Sequence, residues 1–218
     1  MDSQVLTRDP QVLIRKARPD DAPIGAYLIR LSFHSERVTD HILGLGDPDL
    51  ARRALQCFFV RNGNRFSYEF ASVAETGIAV VGLLLGYDAR TMRRANFHMG
   101  LQAPFVYGIR RAIRVAMSSG ALLFTIPKPG PDEFFIHNLA VLPAWRGRGI
   151  GTSLLAAAEN EAKGAGFIKC SLDVGTNNDD ARRFYERSGY DVVATYYLKG
   201  QLPQYGLGGV HRMVKQLE

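Results

Sequence analysis

Three stretches of this sequence predict a mixed α/β fold. An apolar run ending at Val141 passes through a glycine-rich turn into a helix rich in Ala and Leu. Phe66 to Ala74 and Ile78 to Tyr87 are two β-rich runs joined by Glu75-Thr76-Gly77, a turn short enough for a hairpin. Ile168, Cys170, Leu172 and Val174 alternate with the period of two that marks a strand. Strands joined by helices in one half of a chain and by turns in the other build a sheet of mixed pairing.

The elements follow in order. Val12 to Ala17 reads as a first strand, and Arg18-Pro19-Asp20-Asp21 supplies turn and cap chemistry for a helix from Ile24 to Phe33. A second helix is expected from Asp47 to Val60. The hairpin runs at 66–74 and 78–87 come next. Residues 89–131 are longer than a connecting loop should be and read as an insertion, with a helix from Phe105 to Met117 and a proline-rich exit at Pro127 to Pro131. A strand from Glu133 to Val141 precedes the glycine turn, and a helix from Thr152 to Lys163 follows it, stopped by Gly164 to Gly166. After the strand at 168–174, Asn178 caps a helix ending at Gly189. Val192 to Leu198 and Val210 to Leu217 close the chain as a pair of strands.

At 218 residues with 46% hydrophobic content, one domain spanning 1–218 with a helical insertion is the expectation. The longest apolar runs, near Ile78 to Leu85 and Ala121 to Ile126, are far short of a membrane span, and Met1 to Pro10 lacks the apolar centre of a signal peptide. A soluble, cytoplasmic protein with no membrane partner is expected. Cys57 and Cys170 lie far apart and form no CxxC pair, which suits reduced thiols. The five histidines show no ligand spacing, so no metal site is expected. A net charge of +6 suits an anionic ligand, but no interleaving of aromatic and basic residues supports specific reading of nucleic acid.

The chemistry concentrates in Val141-Leu-Pro-Ala-Trp-Arg-Gly-Arg-Gly-Ile-Gly-Thr-Ser-Leu-Leu155. Gly147, Gly149 and Gly151 leave the backbone bare, so successive N–H groups can approach an anion at the positive end of a helix dipole. A pyrophosphate is the natural guest. The dinucleotide fingerprint fails because its third glycine position is Thr152, and no Gly-Lys-Ser or Gly-Lys-Thr of a P-loop occurs.

What remains, Arg146-x-x-Gly149-x-Gly151, resembles the [QR]xxGx[GA] signature of the GNAT superfamily of N-acetyltransferases. The preceding Ile136-His-Asn-Leu-Ala-Val-Leu-Pro143 is similar to the strand before that loop, and Asn178-Asp-Asp-Ala-Arg-Arg-Phe-Tyr-Glu-Arg-Ser-Gly-Tyr190 to the family's NxxAxxFYxxxGF helix. The resemblance implies the GNAT fold: a central, mostly antiparallel twisted sheet flanked by helices, here with a helical insertion before the cofactor-binding strand. It implies acetyl-CoA as cofactor, held by Leu139, Ala140, Val141, Arg146, Gly147, Arg148, Gly149, Ile150, Gly151, Thr152, Asn178, Ala181 and Tyr185. It also implies an amine acceptor and raises the expectation of a homodimer. The long insertion departs from the family pattern and reads as a helical wall beside the acceptor, or as an ordinary packing helix.

Acetyl transfer needs a neutral amine. At an amine pKa near 10.4, deprotonation at neutral pH costs about 4.6 kcal/mol. Strict alternation puts Glu133, Phe135, His137, Leu139 and Val141 on one strand face, so both titratable groups could reach the reaction centre. His137 is the first choice as base, directly or through water; the histidine strand of arylalkylamine acetyltransferases is similar, and other family members use a glutamate on this strand, which keeps Glu133 in play. A packed histidine and a solvated strand end are the plain alternatives. Strand amides near Leu139 suit the developing oxyanion. By resemblance Tyr185 is the general acid toward the departing thiolate and Asn178 contacts the pantetheine arm, although Asn178 is also a good helix cap. Arg93, Arg94, Arg110, Arg111 and Arg114 read as a solvated face or as contacts to an acidic ligand. The expected function is transfer of acetyl to a small primary amine in a ternary complex. A protein amine and a non-catalytic acyl-CoA-binding module are the alternatives.

Overall fold

A computed structural model describes residues 12–33, 35–77, 79–200 and 202–217. Seven strands form one sheet: β1 (Leu13–Lys16), β2 (Ala71–Glu75), β3 (Val80–Asp88), β4 (Glu133–Val141), β5 (Lys169–Gly175), β6 (Asp191–Tyr197) and β7 (Gly209–Gln216). Their order is β1-β2-β3-β4-β5-β7-β6. Every neighbouring pair is antiparallel except β4 and β5, which run parallel through the crossover that carries the glycine turn.

Helices cover both faces. On one side lie α1 (Ala22–Ser32), α2 (Glu36–Gly44), α3 (Pro48–Phe59), α4 (Ala89–Tyr107) and α5 (Ile109–Thr125), closing a core with Leu28, Leu55, Phe58, Leu83, Tyr87 and Phe135. On the other lie α6 (Ile150–Gly164) and α7 (Asp179–Arg187), over Leu84, Phe134, Ile136, Leu172 and Met213. β3 is buried along its length because both layers cover it.

Four sequence expectations need correction. Helix α2 was not anticipated; it buries Val38, Ile42 and Leu43 and ends at Leu45 with φ +54°. Residues 66–70 are not strand. The Ser67 hydroxyl accepts from the Glu69 amide and Asn64 Oδ1 accepts from the Phe66 amide, so local side-chain bonds hold a 3-10 turn at Tyr68–Phe70 in place of the ladder. The insertion holds two long helices where one was expected. Asp88 caps α4 by accepting from the Arg90 and Thr91 amides, and Gly108, at φ +76°, breaks α4 from α5.

The fourth correction concerns β4. Its register with β3 shifts between Leu85 opposite Asn138 and Gly86 opposite Ile136, leaving His137 as the extra residue of a bulge. Phe135 and Ala140 therefore face the α1–α5 layer, whereas Phe134, Ile136, Leu139 and Val141 face α6. The single face running from Glu133 to Val141 does not exist: a bulge reverses the parity of alternation, so Leu139 and Val141 lie on the face opposite Phe135.

Candidate active site

The β4–β5 pairing runs only from Glu133 opposite Lys169 to Ile136 opposite Leu172, although β4 continues to Val141 and β5 to Gly175. The two strands thus part beyond Ile136, at the bulge. The Leu142 amide donates to the Val81 carbonyl at 2.9 Å. Alternation then sends the Ala140 amide toward β3 as well, and turns the Leu139 and Val141 amides toward the parted edge. The slot that these two amides face runs toward the glycine turn.

The turn is built for backbone exposure. Gly147 and Gly149 both sit at φ +76°, a region that side chains resist, and a Cβ on either would meet nothing within 4 Å. Gly149 is the N-cap of α6 and no side chain caps that end. The first intrahelical bond runs from the Ser153 amide to the Gly149 carbonyl, so the amides of Ile150, Gly151 and Thr152 precede any helical acceptor. Gly151 packs close to α7: a Cβ there would lie 3.4 Å from the Phe184 ring, an ordinary contact. Arg146 Nε reaches the Val141 carbonyl at 3.2 Å, and Arg148 stacks over Trp145 at 5.0 Å. These two arginines and Thr152 are exposed around the bare amides, a donor set that fits a pyrophosphate.

Helix α7 brings Asn178, Ala181 and Tyr185 to the same side of the sheet as α6. The Asn178 side-chain oxygen accepts from the Ala181 amide at 3.2 Å and so caps the helix. Tyr185 is buried between Phe184 and Tyr190, and burial pushes its phenol well above the usual tyrosine value, so it keeps its proton at neutral pH.

His137 sits where the slot begins, within a box of Phe66, Tyr87 and Phe135 rings. Its Nδ1 lies 2.5 Å from Asn138 Oδ1, while Asn138 Nδ2 donates to Ser32 Oγ at 2.6 Å and that hydroxyl donates to the Ile29 carbonyl. This chain fixes the proton on Nδ1 and leaves the lone pair on Nε2. The Arg65 guanidinium points straight at Nε2. Burial first, and the Arg65 charge second, push the His137 pKa down to about 3.

Glu133 is not brought to the slot. It occupies the paired end of β4, with Oε2 buried and unpartnered beside the ion pair of Asp173 and Arg212. Burial raises the Asp173 carboxyl, while the two charged hydrogen bonds from Arg212, at 2.6 and 3.1 Å, oppose that rise. Arg65, Asn138 and Ser32 escaped the sequence reading, because they are separated in sequence and follow no spacing rule. The polar Asn138 inside an apolar strand was the one available signal.

The cysteines are free, and burial pushes the Cys170 thiol up to about 12, so it packs and does not react. No helix among the described residues is long and apolar enough to cross a membrane.

Residues 115–190, which carry the slot, the glycine turn and α7, match the Acetyltransferase (GNAT) family. An aminoalkylphosphonate N-acetyltransferase of Salmonella typhimurium is 49% identical over 55 residues, covering 25% of this chain and 36% of that protein. The N-alpha-acetyltransferase RimI of Mycobacterium tuberculosis is 40% identical over 63 residues, 29% of this chain and 38% of that one. These matches span under half of the relatives' own lengths. In fold, the chain is similar to an N-acetyltransferase from Staphylococcus aureus Mu50, with a TM-score of 0.72, 23% identity and coverage of 93% of this chain and 99% of that one. The GNAT match thus lies in the segment that carries the slot and the glycine turn, and the fold of the whole chain is similar to that of a solved N-acetyltransferase.

Proposed function

We propose that this protein is an N-acetyltransferase that moves acetyl from acetyl-CoA to a small primary amine by direct attack in a ternary complex. The observation that carries the reading is the parting of β4 from β5 beyond Ile136, which aims two strand amides along a slot toward the bare amides of Gly149 to Thr152. Acetyl-CoA supplies the thioester as an activated acyl group. In this reading Ile150, Gly151 and Thr152 amides, with Arg146 and Arg148, take the pyrophosphate, and Val141 and the Nδ2 group of Asn178 follow the pantetheine arm past Ala181. The Leu139 amide faces the carbonyl oxygen as negative charge grows on it, a donor worth a few kcal/mol. Tyr185, protonated at neutral pH, returns a proton to the thiolate. His137 takes the amine's proton through Nε2, which requires Arg65 to turn aside and the imidazole pKa to climb from about 3 as that charge leaves and the slot fills with polar substrate. Glu133 is left with a supporting part in the Asp173–Arg212 network.

The name of the Salmonella relative points to a small acceptor, and that of the RimI relative points to protein amines. Calorimetric titration with acetyl-CoA, CoA and NADH, repeated on Gly149→Glu, tests the cradle. Acetyl-CoA binding that the variant loses is expected; no binding by the native chain overturns the reading. Turnover of N-terminal peptides exceeding that of every small amine tested would reassign the acceptor.

A further inference from the structure

Helices α4 and α5 carry the whole positive excess of the molecule. Residues 89–131 hold seven of the 27 Lys and Arg and none of the 21 Asp and Glu, so the remaining chain is close to neutral, with 20 basic and 21 acidic residues. Arg90, Arg93, Arg94, Arg110, Arg111 and Arg114 are all exposed. Between them runs a second feature that a solvated basic face lacks. Phe97, Leu101 and Phe105 recur every four residues along α4, and Ile109, Ile113 and Met117 do the same along α5, and every one is exposed, Phe105 by 84% and Met117 by 77%. The two helices already bury their other faces in the core through Met92, Ala95, Tyr107, Ala112 and Val115, so these stripes are not core-facing residues awaiting closure.

We infer that the exposed faces of α4 and α5 are a docking surface for an anionic lipid membrane, with their apolar stripes in the headgroup boundary and their arginines on the lipid phosphates. Helices with exposed Phe and Leu flanked by Arg, too polar to span, have the composition of interfacial binders. The expectation of no membrane partner rested on span length, which does not bear on helices that lie in the surface. A second copy is disfavoured as occupant, because an isologous contact would press two uncompensated basic surfaces together. A nucleic acid would use the arginines and leave the Leu, Ile and Met stripe in water.

The test is sedimentation of the full chain with vesicles of phosphatidylcholine alone and with phosphatidylglycerol added. Binding is expected only to the anionic vesicles and should weaken with salt. Arg93→Gln with Arg94→Gln should weaken partitioning about 30-fold, at the usual strength of a basic residue near such a surface. Leu101→Ser with Phe105→Ser should weaken it at least about tenfold, since each side chain would lose its burial in lipid. All these residues are exposed, so unchanged circular dichroism and melting temperature show that the variants fold. No binding by the native chain overturns the inference. So does native-like binding by the serine variant, which would leave only a generic polyanion patch, as does concentration-dependent dimerisation lost in that variant, which would make a second copy the occupant. None of these readouts uses acetyl transfer, so they stand apart from the proposed activity.

Discussion

Replacing Arg65 with Gln isolates what holds His137 neutral. In the native protein burial and the Arg65 charge together lower the imidazole pKa to about 3, against the opposing pull of Asn138. A lowered histidine pKa means that the unfolded chain binds a proton that the folded chain refuses. The contribution to stability is therefore complete above the unfolded value near 6.5 and is lost as pH falls toward the folded value, at about 1.4 kcal/mol per pH unit. Between about pH 6.5 and 4.5 this one residue should cost the fold about 2 kcal/mol, a shift of roughly 4–8 °C in melting temperature for a chain of this size. Arg65→Gln removes the charge at Nε2, so the His137 pKa should rise by at least about one unit and the acid loss of stability should flatten below that new pKa. The assay is an NMR titration of the imidazole carbons, with His137→Gln supplying the assignment, alongside melting curves across the same pH range. A His137 that titrates near 6.5 in the native chain, or one that stays near 3 in Arg65→Gln, would refute the reasoning: the first denies the burial, the second denies the role of Arg65.

Tyr185→Phe keeps the buried ring and removes the acid, so kcat should fall about 100-fold or more while acetyl-CoA affinity changes little; an unchanged kcat in steady-state assays would make Tyr185 a packing residue. Gly149→Ala puts a side chain into a backbone at φ +76° and should cost about 1–2 kcal/mol in denaturant melts and weaken acetyl-CoA binding in calorimetry. Asp173→Asn leaves the buried Arg212 without its charge partner, and about 3–5 kcal/mol of stability should go with it in urea unfolding; a loss under about 1 kcal/mol would show that solvent reaches the pair.

The sequence disclosed the part of the site that depends on backbone, and the structure supplied the part that depends on long-range contact. Glycines at alternate positions before an Ala- and Leu-rich helix can be read as an exposed cradle because the requirement is local: positive φ and no side chain. Asn178 as a cap and Gly166 as a stop were legible for the same reason. The faces of β4 were not, since period-two counting assumes an unbroken ladder and His137 occupies a bulge that nothing in Ile136-His-Asn-Leu139 announces. That one extra residue has two effects. It reverses the strand so that Leu139 and Val141 pack toward α6, and it coincides with the point where β5 parts from β4. The bulge thereby places the histidine at the head of the slot and sets His137 and Leu139 on opposite faces of the sheet. A base that approaches from the α1 side and a strand amide that points along the slot are then compatible with one reacting centre between them. On an unbroken strand His137 and Leu139 would crowd the same face.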